Sequence, residues 1–178
     1  QRAVLVVITS DKGLAGAFNA SVLRKAERWI TERQPNYPVD IVAVGKKARD
    51  YFGNRKGNVI KEFLGFGDYA KPNETKPLSD FLLKGFSAHQ WDLVEIMYTN
   101  FRTTLKQEVT IARIFPINIE KIKQTIENIV PESGRFASTT TNYSLLTTNY
   151  EYKLEPNPEV VLDALIPHLI ETQIFHMI

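Results

Sequence analysis

The chain contains no cysteine. That excludes a disulfide framework, a thiolate metal site and a cysteine nucleophile, and says little about the redox compartment. It also lacks an excess of either charge: 22 Lys and Arg stand against 20 Asp and Glu, for a formal net charge of +2. No strong field therefore advertises nucleic acid or an anionic membrane. No uninterrupted apolar run approaches the roughly 20 residues that span a bilayer. The opening Gln1-Arg2-Ala3-Val4 has the pattern of neither a signal nor a transit peptide. Any membrane association is expected to run through partners. Histidine is scarce, with three in all. His168 and His176 are eight positions apart rather than four, so with Glu171 they do not form a metalloprotease pair, and a surface or interface role is expected of them. No Ser, His and acid set stands at motif spacing. Stop signals are missing as well. The chain enters a strand within three residues and closes on an apolar helical pattern with no Gly or Asn after it, so a continuation is expected at both ends.

What is present suits one ordinary domain: 178 residues, 43% hydrophobic and 24% charged, enough to bury a real core. Residues 3–9 (AVLVVIT) form a β-branched run too short for a helix and read as a strand buried on both faces. Phe18, Val22, Ala26 and Ile30 then recur every fourth residue, with Leu23 and Trp29 widening the stripe, which predicts an amphipathic helix. Residues 39–44 (VDIVAV) predict a second strand, 46–52 a short helix, 58–64 a third strand, 79–88 a helix and 93–98 a fourth strand, with Gly65, Gly67 and Pro72 marking a loop. Repeated strand, helix, strand units imply right-handed crossovers and a doubly wound parallel sheet.

The rhythm then changes. Residues 100–107 are too short for a helical crossover, so strand four and the β-rich run 108–115 predict an antiparallel hairpin. Spacing predicts a helix over 117–129, a surface excursion over 132–148 and a short strand over 150–154. From Glu159 onward, Leu162, Ile166, Ile170, Ile174 and Ile178 repeat every fourth residue beside Val161, Leu165 and Leu169. A helix this apolar must pack on something substantial, and Pro167 suggests a kink or restart within it. The fold class is thus α/β, doubly wound, with a mostly parallel sheet of about five to six strands and an antiparallel edge hairpin. Basic clusters such as Arg24, Lys25 and Arg28, or Lys46, Lys47 and Arg49, read as solvated helix faces.

The loop after the first strand is where a nucleotide or flavin would bind in such a fold. It offers Gly13 and Gly16 but not the three glycines of a dinucleotide fingerprint, and Ala17-Phe18-Asn19 stands where a P-loop needs Gly-Lys-Ser/Thr. The plainer expectation is a tight turn with Asn19 or Ser10 capping a helix. Asp11 and Lys12 could belong to a phospho-acceptor pocket, but the fourth strand ends in Tyr98-Thr99-Asn100, without the Lys that chemistry requires. No catalytic residue, cofactor or metal is predicted.

The run Ile8-Thr9-Ser10-Asp11-Lys12-Gly13-Leu14-Ala15-Gly16-Ala17-Phe18-Asn19 resembles the signature of the ATP synthase gamma subunits, a strand ending in Ser/Thr-Asp-Arg/Lys-Gly-Leu-x-Gly. Thr99-Asn100-Phe101-Arg102 and Tyr152-Lys153-Leu154-Glu155-Pro156-Asn157-Pro158, running into Leu162-Asp163-Ala164-Leu165 and Ile170-Glu171-Thr172-Gln173, follow in the order that the family shows. The resemblance implies the globular part of a non-catalytic central-stalk rotor. It implies a Rossmann-like unit over 1–155, with 116–149 as a surface excursion, and the start of a carboxyl-terminal coiled-coil helix over 156–178. The partners implied are the alpha, beta and epsilon subunits and the c-ring, and no nucleic acid. The implied place is the cytoplasmic face of a bacterial inner membrane, or its organelle equivalent. Of the signature loop, Ser10, Asp11, Lys12, Gly13, Gly16 and Asn19 carry the match. Tyr152, Leu154 and Glu155 are the residues it assigns to contact with epsilon and the c-ring. Chloroplast members carry a cysteine-paired regulatory insert where residues 117–149 stand here without any Cys, so no thiol switch is expected in that segment.

Overall fold

The computed structural model describes residues 1–11, 16–55, 57–66, 71–101, 107–117 and 158–178. Five strands form one sheet: β1 (Ala3–Ile8), β2 (Val39–Val44), β3 (Val59–Phe63), β4 (Leu93–Phe101) and β5 (Gln107–Phe115), in the order β3-β2-β1-β4-β5. The first four run parallel, and β5 pairs antiparallel with β4. Leu5 of β1 sits beside Ile41 of β2 on one side and Glu95 of β4 on the other. Glu95 in turn faces Arg113 of β5, whose guanidinium reaches its carboxylate at 3.2 Å.

β1 is central and every one of its residues is buried, which is why its sequence is continuously apolar rather than alternating. Its side chains still divide by the strand period of two. Ala3, Leu5 and Val7 point to one face, where they meet Val22, Leu23, Ala26, Trp29 and Ile30 of α1 (Gly16–Arg33) and Ala48 and Phe52 of α2 (Lys46–Gly53). Val4, Val6 and Ile8 point to the other, where Leu78 and Leu82 of α3 (Pro72–Ser87) and Ile170 and Ile174 of α4 (Pro158–Phe175) complete the cover. Helices therefore lie on both faces of the sheet, as expected of a doubly wound fold.

Three expectations change. α3 begins at Pro72, seven residues before the predicted start. Pro72 is not a loop marker but the first residue of the helix, where its missing N–H costs nothing, and the Glu74 carboxylate accepts a hydrogen bond from the Lys71 backbone N–H at 2.9 Å. Phe18, the first member of the predicted α1 stripe, is 39% exposed, whereas Val22, Ala26 and Ile30 are buried. Of the kink or restart expected at Pro167, the restart is absent, since α4 is one helix across it. The helix predicted over 117–129, the excursion over 132–148 and the strand over 150–154 lie outside the described residues.

Candidate functional site

β4 outruns β1: beyond Met97 it pairs with β5 alone. The chain leaves β1 toward β2 on one side and returns from β3 to β4 on the other, so the carboxyl ends of β1 and β4 border the topological switch point, the usual ligand crevice of this architecture. Thr9, Ser10 and Asp11 follow β1 there, with Asn100 buried at the end of β4.

Each of these loop residues is engaged by its own fold. The Thr9 hydroxyl donates to the Val44 carbonyl at 3.0 Å and accepts from the Ala48 N–H at 3.0 Å. It satisfies one of the free amides in the first turn of α2 from a neighbouring strand. Gly45, just before α2, has φ 88° and lies so close that a Cβ would stand 2.1 Å from the Thr9 carbonyl oxygen, which makes glycine a requirement there. The two oxygens of Asp11 accept from the Lys46 N–H at 2.7 Å and the Gly65 N–H at 2.6 Å. One carboxylate thus ties together the carboxyl ends of β1, β2 and β3, and places a negative charge at the amino end of α2, where the helix dipole favours it.

Asn19 is buried inside the first turn of α1. Its side-chain oxygen accepts from the Ser10 N–H at 3.1 Å, and its amide donates to the Ser10 hydroxyl at 2.9 Å. Neither residue is therefore the helix cap that the sequence suggests: α1 already begins at Gly16, and Asn19 holds the loop by reaching backward from within the helix. The structure brings Ser10, Asp11 and Asn19 together and opens α1 at Gly16. Lys12 and Gly13 lie outside the described residues, as do Tyr152, Leu154 and Glu155. Sequence reasoning missed Thr9, Gly45 and Gly65 as members of this cluster. The signal for Gly45 was a glycine directly after a buried strand; Gly65 contributes only a backbone N–H.

Chemically this cluster is closed. The amino end of α2, a natural phosphate position, is filled by Asp11, and both Asp11 oxygens are spent on backbone amides. Among the described residues there is no group of three His, Cys, Asp or Glu able to hold a metal ion, and no helix long and apolar enough to cross a membrane. His168 is exposed on α4 and stands apart from this edge.

Fold and site together define a class: an open, doubly wound α/β scaffold in which, among the described residues, the side chains at the switch point bond to the fold itself. Comparison with known proteins narrows the class. The chain belongs to the ATP synthase family, whose model matches residues 1–178. It is 31% identical over 175 residues to the ATP synthase gamma chain of Roseiflexus castenholzii, covering 98% of this chain and 53% of that protein. It is 32% identical over 181 residues to the gamma chain of Acidothermus cellulolyticus, covering 98% and 54%. The chain thus spans about half the length of the curated relatives it matches. Among solved structures, the central stalk and c-ring assembly of the Tetrahymena thermophila mitochondrial ATP synthase holds a chain of like fold, with TM-score 0.67, 17% identity, and coverage of 99% of this chain and 68% of that one. A chain of the Euglena gracilis enzyme gives 0.60 at 19% identity, covering 98% and 54%.

Proposed function

We propose that this chain is the globular foot of a rotating central stalk in an F-type ATP synthase, passing torque between a membrane c-ring and a catalytic alpha-beta hexamer. The observation that carries this reading is the family match along all 178 residues, to relatives that are gamma chains. The likeness of fold to central-stalk chains agrees with it. The part assigned is mechanical rather than catalytic, and the bonding at the switch point supports that: Thr9 and Asp11 spend their polar atoms on joining strand and helix ends, and Asn19 on holding Ser10. A rotating shaft has to resist local opening, and a sheet packed on both faces is suited to that.

In this role the catalytic sites lie in other chains, and the stalk biases their conformations through contacts that differ with its angle. The partners are the alpha, beta and epsilon subunits and the c-ring. The place is the membrane periphery, on the cytoplasmic side in a bacterium. Tyr152, Leu154 and Glu155 form the contact with epsilon and the c-ring. Glu155→Lys tests that assignment in reconstituted complexes. ATP-driven proton pumping should fall relative to ATP hydrolysis, with the melting of the subunit unchanged; pumping equal to the parent's would remove these residues from the coupling surface.

A further inference from the structure

α1 and α2 lie side by side on one face of the sheet and leave between them a groove of about 450 Å³. Ala20 and Leu23 form its apolar floor, Arg24 rises from α1, and Lys47, Tyr51 and Arg55 line the α2 side. The sequence suggested that such cations sit on solvated helix faces. Their placement says more. Anions of α1, α2 and the loop after β1 are engaged elsewhere: Glu32 with Arg28 at 2.9 Å, Asp50 with Arg49 at 2.7 Å, and Asp11 with the backbone amides of Lys46 and Gly65. Glu27 accepts the Tyr51 hydroxyl at 2.6 Å and lies 3.9 Å from Arg55, whose guanidinium stacks 3.9 Å over the Tyr51 ring. Among the described residues, Arg24 and Lys47 are exposed and have no ion pair.

The Glu27–Tyr51–Arg55 network also links the two helices, so the width of the groove is set before anything binds. The hydrogen bond to Glu27 raises the Tyr51 pKa above its ordinary value of 10.0, and burial adds to the rise, so the phenol stays a donor at neutral pH and keeps this brace closed. The cations are spread along the groove instead of converging on a point. Lys47 sits in the first turn of α2 and Arg55 just beyond its end, so the helix sets them on the order of 10 Å apart, a span that about three residues of extended peptide would cover. That spacing suits a row of carboxylates better than a single phosphate, which favours a compact nest of amides.

We propose that the groove between α1 and α2 docks an acidic segment of a partner polypeptide, with successive carboxylates meeting Arg24, Lys47 and Arg55 over the apolar floor of Ala20 and Leu23. The test uses a fluorescein-labelled tetraglutamate peptide, with anisotropy read against the full chain at low and at physiological salt. Saturable binding that weakens with salt is expected, together with a loss of about tenfold in affinity for Arg24→Ala/Lys47→Ala. A control pair on another surface, Lys61→Ala/Lys76→Ala, should bind as the parent does. Circular dichroism melting monitors the fold of each variant, and Lys47→Glu alone serves as a second variant that leaves α1 untouched. The proposal is overturned if the double variant binds the peptide as tightly as the parent, if inorganic phosphate displaces the peptide at equal concentration, or if phosphatidylserine vesicles bind the chain through these residues and the peptide does not.

Discussion

At the scale of single residues, the decisive contacts join a side chain to backbone amides far away in sequence. Asp11→Ala removes two charge-assisted hydrogen bonds and should lower unfolding free energy by about 1–3 kcal/mol, allowing for partial exposure of the carboxylate. Asp11→Asn should fall between, because its single amide oxygen can serve only one of the two N–H groups with comparable geometry. Urea unfolding of the three proteins would show this order; equal stability would mean that water replaces the carboxylate at no cost. Little of this was legible in the sequence. Asp11 could be seen to follow a buried strand, but its partners are the amides of Lys46 and Gly65, and backbone groups leave no trace in residue identity. Asn19 was misassigned for a related reason. Asn near a helix start usually caps it, and only the position of Gly16 as the first helical residue shows that Asn19 lies inside.

Elements were easier to read wherever periodicity was strong. The continuous run of β1 and the stripe through Val22, Ala26 and Ile30 stated which faces would be covered, since burial on one or both sides imposes a period on the sequence. The start of α3 was harder, because proline signals both a break and a first helical turn, and only tertiary contact decides between them. α4 carries a feature that periodicity does not explain. Gln173 is fully buried on α4, near Ile170, Ile174 and Met177 in sequence, and among the described residues neither its amide nitrogen nor its oxygen has a hydrogen-bond partner. Gln173→Leu should raise stability by about 1–3 kcal/mol, read as an upward shift of the urea midpoint. A downward shift would show that the amide is satisfied in solution. The same helix carries His176, whose pKa is lowered from 6.5 by desolvation beside Phe175. The unfolded chain therefore takes up a proton at a higher pH than the folded one. Stability is complete above about 6.5 and falls as the pH drops through the folded value. His176→Gln should flatten this part of the profile of melting temperature against pH, and an unaltered profile would place the titration elsewhere.

For the whole molecule, a mostly parallel sheet with helices on both faces and an antiparallel edge hairpin followed from the alternation of strand and helix, the strand order came from the structure, and the proposed rotor role leans on the comparison with relatives. Topology alone does not set such a chain apart from the many of similar fold that bind a ligand at the switch point. The distinction has a thermal readout. Millimolar ATP should leave the melting temperature of this chain unchanged, whereas a true site in the crevice would raise it by mass action. The two layers also differ in when they can form. The layer under α1 and α2 draws on residues up to Ile111, so it can close before the carboxyl-terminal third is made. The opposite layer needs Ile170, Ile174 and Met177 to reach Val4, Val6 and Ile8 across nearly the whole chain. Until α4 leaves the ribosome, α3 is the one described helix on that side of β1, and that nascent chain presents an apolar surface for chaperones to shield or for other chains to clump on.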